Sequence, residues 1–96
     1  MATYKYIKAS ELTMSVLVFL SEQSTPVSGR EVARALNVKY DTVMCHLYTL
    51  DSLRFARKVG DHYELGQESA LLWARKKTQL TTKVNQATSE LRALEG

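Results

Sequence analysis

Ser28-Gly29-Arg30-Glu31-Val32-Ala33-Arg34-Ala35-Leu36-Asn37-Val38, then Lys39, then Tyr40-Asp41-Thr42-Val43-Met44-Cys45-His46-Leu47-Tyr48-Thr49-Leu50 decide how this chain folds. The first run opens as a helix. Ser28 stands at the N-cap with Glu31 three residues on, which is the spacing of a capping box. Val27 and Val32 occupy the two positions of a hydrophobic staple, and Pro26 keeps any earlier helix from running in. Val32, Ala33 and Leu36 share one face at helical spacing. Asn37 is placed to close the helix in the left-handed conformation. A helix this short does not hold alone, so it must pack against a neighbour.

The second run supplies that neighbour. Its apolar stripe is Val43, Leu47 and Leu50, with Leu53 beside it. A rotation of about 100° per residue puts Asp41, Cys45, Tyr48 and Ser52 on the opposite side, flanked by Thr42 and Thr49. Lys39 and Tyr40 sit at the mouth of this helix. Next, Arg57-Lys58-Val59-Gly60-Asp61-His62-Tyr63-Glu64-Leu65 reads as a β-hairpin with a two-residue Gly60-Asp61 turn. That turn sets Val59 opposite His62, Lys58 opposite Tyr63, Arg57 opposite Glu64 and Ala56 opposite Leu65. Ala56, Tyr63 and Leu65 then pack inward, and Arg57 and His62 lie outside, with Arg57 either free for a phosphate or paired with Glu64. Helix, turn, helix and hairpin make the winged-helix plan, whose usual work is to hold duplex DNA. The fold class is mainly α with a small β-hairpin: three helices plus a wing, followed by a long C-terminal helix.

Outward from this centre the chain divides into three parts: an arm over residues 1–9, the winged domain over 10–66 and the long helix over 67–96. The arm carries Tyr4, Lys5, Tyr6, Ile7 and Lys8 and is either a frayed terminus or a strap along a phosphate backbone. A helix over Ser10–Ser21, capped by Ser10, buries Leu12, Val16, Phe19 and Leu20. Val27 and Ser28 are placed to pair briefly with the wing. Beyond Gly66 no glycine or proline occurs until the last residue. Ala70, Trp73, Lys77, Leu80, Val84, Ala87, Leu91 and Leu94 recur in steps of three and four, the pattern of a heptad seam. The stretch around Leu71, Leu72 and Trp73 is expected to pack on its own domain, with Trp73 as a core anchor. Leu80, Val84, Ala87, Leu91 and Leu94 are expected to form a dimer interface, in parallel or antiparallel pairing or bundled with the Ser10 helix. Arg75, Lys76 and Lys77 read as a solvated face or as a basic grip on flanking DNA.

The bulk numbers agree with one small domain plus an extension: 96 residues, 45% hydrophobic, net charge +3 and pI near 9.1. A mildly basic balance favours a polyanionic partner only weakly. One cysteine excludes an internal disulfide and a multi-thiolate zinc site. No signal peptide or membrane span is legible, so a cytoplasmic protein is expected. Enzymatic and metal chemistry has thin support. Cys45 and His46 are adjacent on a helix and point apart, His46 borders the apolar stripe, and Asp61 and His62 belong to a turn. There is no phosphate loop, metal-ligand spacing or carboxylate–base pair, so no cofactor, metal or catalytic residue is expected.

Leu36-Asn37-Val38, then Thr42-Val43, Leu47, Leu50 and Leu53, together with Phe55 and the closing Tyr63-Glu64-Leu65-Gly66, resemble the N-terminal DNA-binding domain of isocitrate lyase regulator (IclR) type proteins. The match covers roughly residues 10 to 72. It implies a three-helix winged domain that binds operator DNA as a dimer. Family members usually place a basic residue where this chain has Cys45, and here no Lys or Arg lies between Tyr40 and Leu53. No counterpart of the family's large effector domain is expected beyond the one long helix, so ligand-responsive regulation is not implied. The expected function is double-stranded DNA binding by a small dimeric transcriptional regulator, with helix 40–53 in the major groove and wing 55–65 on the backbone or minor groove. Its DNA contacts are expected from Arg30, Lys39, Tyr40, Asp41, Thr42, Cys45, Tyr48, Thr49, Arg54, Arg57 and Lys58. The alternative is a winged-helix protein-interaction module, an adaptor, antirepressor or assembly subunit, that does not bind DNA.

Overall fold

The computed structural model describes residues 3–96. Its elements are α1 (Lys8–Ser21), β1 (Val27–Ser28), α2 (Gly29–Leu36), α3 (Tyr40–Ser52), β2 (Ala56–Val59), β3 (His62–Leu65) and α4 (Gln67–Glu95). Met1 and Ala2 of the expected arm lie outside the described residues. Residues 3–7 form no helix or strand, and α1 begins earlier than its serine suggests. The Glu11 amide donates to the Ile7 carbonyl at 3.1 Å, which closes the first turn around Ile7. Ile7 is therefore the N-cap, without a side-chain hydrogen bond, and Ser10 lies inside the helix instead of capping it.

The Ser28 cap and the left-handed close of α2 form as read. The Ser28 hydroxyl accepts from the Glu31 amide at 3.1 Å, and Asn37 closes the helix at φ 55, ψ 49. The sheet has order β1-β3-β2 and is antiparallel throughout. The hairpin register pairs Val59 with His62, Lys58 with Tyr63, Arg57 with Glu64 and Ala56 with Leu65, and Gly60 takes φ 62 at the turn. Val27 and Ser28 add the third strand opposite Tyr63 and His62.

One core joins these pieces. Val16 and Leu20 from α1, Val32 and Ala33 from α2, and Val43, Leu47 and Leu50 from α3 meet Val27, Ala56 and Tyr63 of the sheet. Leu47 and Val43 are fully buried, each worth about 1.5–3 kcal/mol relative to an exposed side chain. His46 serves the packing: its Nδ1 lies 2.7 Å from the Thr13 hydroxyl and ties α3 to α1.

Four apolar residues expected inside are out. Leu53 is 58% exposed, because α3 ends there in a left-handed turn at Arg54, φ 66. The Phe55 amide reaches back to the Leu50 carbonyl and the Arg54 amide to that of Asp51, the paired bonds of a Schellman motif. Phe55, not Leu53, then packs on the core. Leu65 is 39% exposed at the end of its strand. Leu72 is half exposed, and Trp73, 68% exposed, anchors nothing in the core. Helix α4 leaves the body at once, and none of its residues is buried. It is held at its root, where the Gly66 amide donates to Phe55 O at 2.8 Å, the Glu68 amide to Arg54 O at 3.0 Å and the Ser69 hydroxyl to Phe55 O at 2.8 Å. Lys77 lies over the Trp73 ring instead, 5.4 Å from its centroid.

Candidate nucleic-acid interface

Burying Val43, Leu47 and Leu50 fixes the rotation of α3 and so selects its outer face. Asp41, Thr42, Cys45, Tyr48, Thr49 and Ser52 are all exposed there, with Tyr48 at 73%. Hydroxyl groups on this face are partly spoken for. Thr49 donates to Cys45 O at 2.9 Å and Ser52 donates to Tyr48 O at 2.8 Å.

Cations frame this face and do not stand on it. Lys39 is the N-cap of α3, with no side-chain cap for the first turn. Arg30, on the first turn of α2, places its guanidinium 4.6 Å from the centroid of the Tyr40 ring, a cation–π contact that orders both side chains. A cleft of about 340 Å³ opens between these two and the wing, lined by Ser28, Gly29, Arg30, Tyr40, Met44, Lys58, Asp61 and Tyr63. Gly29 makes the close α2–α3 approach possible, since a Cβ there would collide with the Met44 sulfur. On the wing, the Lys58 amide donates to Asp51 Oδ1 of α3 at 3.3 Å, which ties hairpin to helix. Arg57 lies on the outer side of the hairpin, with Nε 4.0 Å from Glu64 Oε1. That contact is long and exposed, so it restrains Arg57 little. Arg54 is exposed at the far end of α3.

The structure thus gathers Arg30, Tyr40 and Lys58 around one cleft, sets Lys39 at the N-cap of α3 and places Arg54 just past its other end. Asp61, Met44 and Tyr63 line the cleft as well, which the sequence did not signal, because the cleft exists only after β1 has paired with β3. The seam residues Leu80, Val84, Ala87, Leu91 and Leu94 are all exposed along α4. Among the described residues no cluster of three or more His, Cys, Asp or Glu side chains gathers to hold a metal. No helix there is long and apolar enough to cross a membrane.

This architecture defines a winged helix-turn-helix with a long C-terminal helix. Solved structures share it. The chain is similar to an IclR transcriptional regulator from Alicyclobacillus acidocaldarius at 27% identity and TM-score 0.70, over 75% of this chain and 30% of that one. Pseudomonas aeruginosa HmgR matches at 24% identity and TM-score 0.65, over 72% of this chain and 29% of its own. An IclR family transcriptional regulator from Brucella abortus matches at 18% identity and TM-score 0.70, over 83% of this chain and 33% of its own. The fold is therefore that of the winged unit of IclR-type regulators, and this chain spans about 30% of the length of those proteins. No family model matches the sequence, and no curated protein matches it.

Proposed function

We propose that this chain binds duplex DNA as a unit of transcriptional regulation and acts as a homodimer paired through α4. The observation that carries the reading is the cation-framed outer face of α3 beside a wing on this fold. Helix α3 enters the major groove and offers Asp41, Thr42, Cys45, Tyr48 and Thr49 to base edges. Arg30, Lys39, Tyr40, Arg54, Arg57 and Lys58 hold phosphates on either side. The exposed stripe Leu80, Val84, Ala87, Leu91 and Leu94 pairs two copies, so that two α3 helices face one duplex.

Five cations around one reading face give an affinity that depends steeply on salt. Between about 50 and 200 mM salt, binding to random-sequence duplex should fall by on the order of a thousandfold in a dimer with six or more phosphate contacts. Fluorescence anisotropy reads this directly, and no retention at either salt refutes the proposal. The reading then favoured is a protein-interaction module. Its support is an apolar hollow of about 810 Å³ along α1, lined by Ile7, Met14, Val18 and Phe19, together with the absence of cations on α3 itself.

A further inference from the structure

The outer face of α3 carries a chemical bias that selects among bases. Guanine in the major groove shows two acceptors, N7 and O6, and is read by the paired donors of Arg or by Lys. No such side chain lies between Tyr40 and Leu53. Asp41 offers only acceptor oxygens, and it is exposed in the first turn of α3, the part of a recognition helix that comes nearest base edges. Among the described residues no ion pair or side-chain hydrogen bond engages its carboxylate. Thr49 has its hydroxyl proton committed to Cys45 O, so outward it presents lone pairs and a methyl group. Cys45, between them, adds a small, weakly polar group. From Asp41 to Tyr48 the helix rises about 10 Å, roughly three base steps.

We propose that α3 is an acceptor-type reading head. Asp41 accepts from an exocyclic amino group, cytosine N4 or adenine N6, and the Cys45–Thr49 surface packs on a thymine methyl. Guanine is not the base read by this helix. The inference rests on the DNA-binding reading above and deepens it to the bases recognised.

The test is selection of preferred sites from random duplex by the full chain, by Asp41→Ala and by Asp41→Asn, with circular dichroism to establish that both variants are folded. The wild-type site should contain one position per half-site at which a single base pair is preferred by about tenfold, the discrimination of one good base contact. Asp41→Ala should flatten that position alone. Asp41→Asn, which adds a donor, should move it towards adenine, whose N6 and N7 fit an amide. Replacing the adenine or cytosine of the preferred pair by its analogue lacking the amino group should weaken wild-type binding by the same factor and leave Asp41→Ala unaffected. A preference that both variants leave unchanged overturns the inference, as does undiminished wild-type binding to the duplex lacking that amino group. Salt-dependent binding with no selected site overturns this inference while leaving duplex binding intact. No binding at about 50 mM salt overturns both.

Discussion

Replacing Gly66 by alanine should destabilise the winged domain far more than its backbone angles suggest. Gly66 has φ −95 and ψ 174, ordinary extended values open to any residue. The obstacle is space. A Cβ at this position would collide with the Arg54 carbonyl oxygen and come within 2.9 Å of that of Ala56. Both obstacles are main chain, in the tight turn after α3 and at the start of β2, so no side-chain rotation relieves them. Overpacking of this kind costs about 1–3 kcal/mol. The shift also stretches the Gly66 amide bond to Phe55 O and the Glu68 amide bond to Arg54 O, each worth about 1 kcal/mol. The sum is about 3–5 kcal/mol, or a fall in Tm of roughly 12–40 °C for a domain of this size. Gly60→Ala is the control. Nothing lies within 4 Å of a Cβ there, and the left-handed φ of 62 alone should cost about 1 kcal/mol. Urea unfolding of the two variants, followed by circular dichroism, separates the two causes. A Gly66→Ala protein within about 0.5 kcal/mol of wild type would refute the close-contact account, because strain on that scale is absorbed by ordinary surface changes.

Leu47→Ala, at a site with no solvent exposure, should lose about 2–5 kcal/mol in the same assay. Trp73→Ala should leave the unfolding of the winged domain unchanged, since the ring is 68% exposed; a large loss of stability would restore it as an anchor. Arg57→Ala combined with Lys58→Ala should lower duplex affinity and reduce the slope of log affinity against log salt by about 2 per protomer in an anisotropy titration. An unchanged slope removes the wing from the contact surface. Deletion of residues 79–96 should convert dimer to monomer by light scattering. A truncated chain that still dimerises places the interface elsewhere, with the apolar hollow along α1 the next surface to examine.

What the sequence made legible is what short-range chemistry decides. The Ser28–Glu31 cap, the left-handed Asn37 and the Gly60-Asp61 turn each act over a few residues, and the hairpin register follows from the turn. The Val43–Leu47–Leu50 stripe was equally clear, so the outer face of α3 was read correctly. Failures came where distant elements decide. Leu53 continues the stripe in periodicity, but the turn at Arg54 hands its place to Phe55. Trp73 looks like an anchor by composition, yet the direction of α4 depends on how Gly66 seats against the end of α3, which no local pattern encodes. Ser10 is a good cap in type, but the first turn had already closed around Ile7. The cleft of Arg30, Tyr40 and Lys58 draws its walls from three elements separated in sequence and became visible only in three dimensions.

The root of α4 is fastened through carbonyls of Arg54 and Phe55, with Ser69 the single side chain among its bonds to them. Apart from Gly66, where there is no room for a Cβ, a joint made of main chain makes few demands on the side chains around it. The outer surface of α4 can therefore drift, exchange one companion for another or accept a different continuation, while the helix keeps leaving the wing in the same direction.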